Sequence, residues 1–285
     1  MSRMQVRRCL VILTVVTIAA TLTVVASITT TPARGAGIGG RSIDPAEIVP
    51  LDQIVAERRE IVAEVIRDHT FHRQGNPDTF PCPTSLYLSL LNEPHLTVAL
   101  WKDLGESPVQ LQKVAPDRYD GTDGSGSTAT WEFVLRSPRL HVLLAYFNFV
   151  SPRGNARVDA RIVLVVNTTY LRDDKKESYI QHNVDVYVKV DSRGWKTVAR
   201  TMRPMVERIL EEQVNEAGSF ISLMTRVVQT HPNWACQVAT NNPNIDAAIK
   251  QKFCTVVVQT RRPGASTGRP VMMAKPDAKG ETRRR

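Results

Sequence analysis

From Pro204 to Thr230 apolar side chains return every three to four positions without a break: Met205, Val206, Ile209, Leu210, Val214, Ala217, Ile221, Met224, Val227 and Val228. Glu207, Arg208, Glu211, Glu212 and Glu216 occupy the other side, and His231-Pro232 ends the run. At about 1.5 Å per residue such a helix is roughly 40 Å long. A helix of that length, apolar on one side only, must lie along an equally broad apolar surface. No other feature of the sequence limits the fold as strongly.

The segment before it supplies that surface. Apolar residues there alternate with polar ones, which predicts strands at about 96–101, 108–114, 128–136, 140–150, 157–167 and 179–190. In the last of these Val184, Val186, Val188 and Val190 face one way and Asp185, Tyr187 and Lys189 the other. In the third, Trp131, Phe133 and Leu135 oppose Thr130, Glu132 and Arg136. The connections, such as Asp120-Gly121 to Gly126 and Arg172-Asp173-Asp174-Lys175, are short and polar. An antiparallel sheet of about six strands follows. Ahead of it, Asp44-Pro45 is a helix start, with Pro50 as a kink. Ile54, Val55, Ile61, Val62, Val65 and Ile66 predict an amphipathic helix to about His69, and Thr84 to Leu91 a short second one. The stretch from Gly75 to Pro83 reads as a loop. The fold class is α+β.

Two N-terminal helices, about six antiparallel strands and one long C-terminal helix, together with the texture of Tyr179 to Ala235 (VDVYVKVDSRG running into RPMVERILEEQV), resemble the helix-grip superfamily. That group includes START-type lipid-transfer domains, plant allergen-like carriers and polyketide cyclases, and the resemblance covers about residues 45–235. It implies a sheet curved around the long helix with an apolar cavity between them. Trp131, Phe133, Phe147, Phe149, Val186, Met205, Ile209, Phe220 and Met224 are then candidates to line it, and plain core packing accounts for the same residues. Methionines suit either role, because their side chains adapt to irregular space. The resemblance brings no catalytic residue and no cofactor.

The N-terminus indicates where the domain goes. Arg3, Arg7 and Arg8 precede an uncharged run from Cys9 to Ile28, the pattern of an export signal whose positive end stays in the cytoplasm. Twenty residues are long for a cleaved signal and just enough to span a bilayer; cleavage after Ala26 and retention as an anchor are both open. This divides the chain into a leader (1–30), a flexible linker (31–43), the domain (44–260) and a basic tail (261–285). The net charge of +9 sits at the ends: of 37 Lys and Arg, three are in the leader and eight in the tail, leaving the remainder balanced against acids. A neutral domain excludes a nucleic-acid partner, which requires a basic face on the folded part. The tail, poor in large apolar groups, reads as disordered.

Of the four cysteines, Cys9 lies in the leader. Cys236 and Cys254 flank one short segment and are the preferred disulfide pair, permitted by export, with Cys82 left free. None has zinc-site spacing. His69 and His72 lack a third metal ligand, and Asp117, Asp120 and Asp123 lack the spacing and closing Glu of a calcium loop. Asn167-Thr168-Thr169 forms a glycosylation sequon. Glu132, Asp159 and Asp185 fall on strands, and alternation puts them toward solvent. No nucleophile–base motif is present.

Three functions are compatible with this: a non-catalytic carrier of a lipid or other apolar molecule; an interaction module with a filled core that docks on an anionic surface through its tail; and a cyclase or hydrolase using a carboxylate in the cavity. The first accounts best for a sheet and long helix delivered beside a membrane.

Overall fold

The computed structural model describes residues 43–270 except 106–108, 125, 151–156, 193–202, 263, 265, 267 and 269, and omits the side chains of 203–207, 209, 213, 216 and 217. The leader, all but the last residue of the linker, and the tail beyond 270 fall outside the described residues.

Helix α1 (Pro45–Ile48) starts where the sequence places it: Asp44 accepts from the Ala46 N–H at 3.0 Å, with Pro45 at the first turn. A 3₁₀ turn (Leu51–Gln53) follows, then α2 (Ala56–Arg67). Strands β1 (Phe71–Gln74) and β2 (Asp78–Pro81) lead into α3 (Thr84–Asn92) and α4 (Pro94–Leu104). Strands β3 (Gln110–Ala115), β4 (Arg118–Thr122), β5 (Ser127–Arg136), β6 (Leu140–Val150), β7 (Arg157–Arg172) and β8 (Ser178–Val190) come next. The chain then forms α5 (Arg203–Thr230), α6 (Pro232–Asn241) and α7 (Ala247–Gln259).

The eight strands make one antiparallel sheet in the order β1–β8–β7–β6–β5–β4–β3, with β2 also on β8. β1 and β2 are one edge strand interrupted by a bulge. Gln74 pairs with Asp185 and Asp78 with His182, so three edge residues oppose two on β8. At the other edge β3 pairs, among the described residues, with β4, and its register slips between Lys113 and Ala115. A second slip in β5, between Phe133 and Leu135, puts Leu135 on the outer face with Val134, not on the inner face with Trp131 and Phe133 as strict alternation predicts.

The sheet is covered on both faces, and each face has its own core. The inner face carries Trp131, Phe133, Ala145, Phe147, Ile162, Val186 and Val188 against α3, α4 and α5. The outer face carries Val134, Val142, Leu144, Val163, Val165 and Tyr187 against Val62, Val65 and Ile66 of α2. Helix α2 is fixed there by charge as well as by apolar contact. Glu64 accepts from Arg161 at 2.5 Å and from Lys189 at 2.6 Å, and Arg161 also donates to Asp191 at 2.8 Å. Hydrogen bonds from Arg161 and Lys189 hold the Glu64 carboxyl down at about 2.

Two expectations are corrected here. The segment 96–101 is not a strand but the middle of α4, a further helix that packs with α3 on the inner face, while α2 lies on the outer one. The sheet has eight strands, because β1, β2 and β4 are short edge or near-edge segments without alternation. The long helix stands as expected, from Arg203 to Thr230, and the chain continues beyond it into a helical hairpin, α6–α7.

Candidate functional site

Helices α3 and α4 meet at an elbow, Glu93-Pro94, where the proline opens α4 at its first turn. The elbow stands off the inner face and leaves a cavity of about 90 Å³. Leu90 and Leu91 of α3, Pro94 and Thr97 of α4 and Ile221 of α5 form its helical wall. Trp131, Phe133, Leu143, Leu164 and Val184 form the sheet side. Leu143 and Leu164 lie in mid-strand on the inner face yet are only half-buried; they pack against the inner core at one side and line the cavity at the other. A water-sized void of this volume could hold a few waters, but an apolar lining with few polar partners does not retain them.

Of the residues proposed to line a pocket, Trp131 and Phe133 reach the cavity. Phe147, Phe149, Val186, Phe220 and Met224 are buried in the core around it; Phe220 meets Trp101 edge-on at 5.5 Å between ring centres. The side chains of Met205 and Ile209 lie outside the described residues.

Polar groups at the cavity were not visible in the sequence. His182 of β8 lines it and is 2% exposed. Its Nε2 is 3.0 Å from the Gly218 carbonyl of α5, which can only accept, so that nitrogen carries the proton. Nδ1 therefore accepts from the Tyr87 hydroxyl at 3.2 Å, and Tyr87 in turn accepts from Thr168 at 2.9 Å. This chain ties β7, β8, α3 and α5 together with every member satisfied. Burial depresses the His182 basicity and pushes the Tyr87 phenol up.

Beyond the Tyr119–Phe133 wall are two more buried histidines. Among the described residues His95 has no hydrogen-bond partner for either ring nitrogen, though its Nδ1 faces the Glu93 carboxylate at 3.6 Å, and its ring leans on Tyr119. His141 is bonded through Nε2 to Asn92 at 2.9 Å, and its Nδ1 is bare. Desolvation holds both near pKa 4. Arg136 lies over the Phe133 ring at 3.8 Å and pairs with Asp117 at 3.0 Å. A lone histidine within an apolar run gives no periodic signal, so sequence reasoning passed over all three.

The remaining candidates resolve individually. Among the described residues no group of three His, Cys, Asp or Glu can hold a metal. His69 Nδ1 lies 2.7 Å from the Ile66 carbonyl, and His72 stacks on Tyr187 at 4.3 Å. Asp120 accepts from Thr130 and Asp123 from the Ser127 N–H, as in a hairpin turn. Glu132 pairs with Arg58 at 2.8 Å and Asp159 with Arg157 at 3.2 Å on the outer face. Asp185 lies on that face too but is buried, since β1 and α2 cover it. Among the described residues no carboxylate lines the cavity. Cys82 is a buried free thiol, pushed up to about 12 by desolvation. Cys236 and Cys254 stand as neighbouring free thiols, both half-buried.

The elbow of two helices spliced between the edge strand and β3, and a long helix after the last strand on the same sheet face, decide the architecture. The fold is a helix-grip. No protein-family model and no curated protein matches the chain. Among solved structures it is similar to a conserved protein from Geobacillus kaustophilus, at 13% identity and a TM-score of 0.39, over 54% of this chain and 94% of that one. It is also similar to a Thermus thermophilus protein, at 13% identity and a TM-score of 0.29, over 55% and 97% of the two chains. The protein Ara h 8.0201 aligns at 10% identity and a TM-score of 0.28, over 50% and 97%. Beyond the sheet, the elbow and the long helix, this chain carries the outer helix α2 and the terminal hairpin α6–α7.

Proposed function

We propose that the domain is a non-catalytic holder of a small, uncharged apolar molecule, taken between the inner sheet face and the α3–α4 elbow. The supporting observation is the apolar cavity itself, with Leu143 and Leu164 in the middle of the sheet lining it while only half-buried. The polar groups at the cavity favour the same class: His182 is neutral with both nitrogens engaged, and no side chain there offers an unpaired charge. At about 90 Å³ the cavity is well below the 300–1,000 Å³ usual for drug-sized ligands, so a lipid enters only if the helical wall moves outward. Native mass spectrometry of protein purified without detergent should show a bound mass that organic solvent removes. Leu164→Phe, which fills the void, should lower the affinity for a neutral naphthylamine probe at least tenfold, with melting temperature held within a few degrees. A bare mass, together with no probe uptake by the wild type, would replace this reading with the filled-core interaction module.

The reading includes delivery across a membrane by residues 1–30. Its motive is Arg3, Arg7 and Arg8 ahead of the uncharged run from Cys9 to Ile28. Among the described residues no helix is long and apolar enough to cross a membrane. Fusion of a reporter that is active only outside the cytoplasm to the C-terminus should give signal. Replacing the three arginines with glutamate should abolish it, and a silent wild-type fusion would remove the delivery claim.

A further inference from the structure

We propose that Cys236 and Cys254 close into a disulfide that fixes the α6–α7 hairpin as a clasp over the helical wall of the cavity, and that its reduction lets that wall open to ligand. The first half stands on the hairpin itself; the second rests on the pocket reading above.

The sheet side of the cavity cannot give way. β5, β6, β7 and β8 are held by continuous antiparallel ladders, and opening them would break backbone hydrogen bonds in a row. The helical side is held by side chains only, and the hairpin is what backs it. Helix α7 packs on α3, and α6 packs on α4 and α5. Phe253 and Val257 of α7 and Trp234, Ala235 and Ala239 of α6 are buried in the inner core. Trp234 Nε1 donates to Asp103 of α4 at 2.7 Å. For the elbow at Leu91 and Pro94 to move out, α6 and α7 must shift or part.

The two thiols sit where they govern that parting. Cys236 is on α6 and Cys254 on α7, half-buried neighbours packed against the same inner core across the hairpin. Each sulfur loses its proton, and the pair gives up two electrons to the disulfide of a thiol oxidant such as oxidised glutathione or an oxidoreductase, which leaves as its two thiols. Burial and the neighbouring Cys254 push the Cys236 thiol up to about 12. Little thiolate exists at neutral pH, exchange is slow, and both states can be isolated. Cys82, buried and bonded to the Pro83 carbonyl, stands apart from this pair.

The test uses the full chain, equilibrated either with oxidised glutathione or with dithiothreitol and then desalted. The oxidised sample should lose the mass of two hydrogens and give a proteolytic fragment joining the peptides of Cys236 and Cys254. Its melting temperature should rise by about 5–10 °C, the scale for closing a loop of this length in a domain of this size. Stopped-flow uptake of N-phenyl-naphthylamine should be at least fivefold faster after reduction, and Cys236→Ser should behave as the reduced form in both buffers. No crosslink, or one through Cys82, overturns the disulfide. A crosslink with equal uptake in both states overturns the clasp and leaves the pocket standing. No uptake in either state overturns the pocket reading and the clasp with it, while the crosslink stands on its own.

Discussion

Lowering the pH from 7 to 5 is expected to cost the folded domain about 4 kcal/mol, through His95 and His141 alone. Both are buried, and desolvation, with Arg136 near each and Lys113 near His95, holds them near pKa 4 against the opposite pull of Glu93 at 3.6 Å and of Asp246 on His95. The unfolded chain titrates near 6.5. Between those values the unfolded state binds protons that the folded state refuses, so stability is complete above about 6.5 and falls as pH drops toward 4. Each histidine then contributes a loss of about 2 kcal/mol at pH 5, and native domains rest on only about 5–15 kcal/mol in all. His182, lowered by burial as well, adds to the loss in the same direction. Thermal melts at pH 7 and pH 5 should differ by about 10 °C. The double variant His95→Phe, His141→Gln removes both buried rings while keeping their bulk and the donor to Asn92. Its melting temperature should change far less with pH. An undiminished acid loss in that variant would mean that the two rings are not held neutral.

Replacing Ile66 with aspartate should leave no folded protein at 37 °C. Ile66 is fully buried between α2 and the outer sheet face, and an unpaired carboxylate there costs several kcal/mol in addition to the lost packing. Ile66→Ala, which only opens a void, should cost about 2–5 kcal/mol. Val114→Asp, on the exposed edge strand β3, should change stability by less than about 0.5 kcal/mol. Urea unfolding of the three variants separates these outcomes. If Ile66→Asp unfolds at the wild-type midpoint, residues 44–67 are a detachable arm, and the outer face is stable without them.

The parts of this fold legible in the sequence are those whose two sides differ in polarity. β8 alternates in sequence although both its faces are covered from Val184 to Val188, and α5 keeps its stripe because its other side meets water. Helix α4 was misread because it lacks such a contrast. His95, Leu96, Thr97, Val98, Leu100 and Trp101 are all buried, since the helix is enclosed by the sheet, α3 and α6. An apolar run of that kind fits strand and buried helix equally well. β4, with Arg118, Asp120, Gly121 and Thr122 around the one buried Tyr119, carries no pattern at all. The same enclosure hid part of the site. Trp131 and Phe133 were accessible to reasoning through their alternation, but Leu90, Pro94 and Ile221 join them only through the angle of the elbow. Asp185 and Tyr187 were assigned to solvent by correct alternation; they are buried because a second layer, α2, lies on the face they share.

The two margins of the sheet also bear on what this domain can meet. On one side Gly75, Asn76 and Pro77 break the outermost strand, and Pro81 has no N–H to offer; on the other, β3 is six residues long, slips in register and carries Lys113. Neither presents the long, flat ribbon of unpaired amides onto which another chain could zip. Molecules of this protein can therefore crowd together at high local concentration without knitting into fibres, and recognition is left to side chains, chiefly those on its helical side.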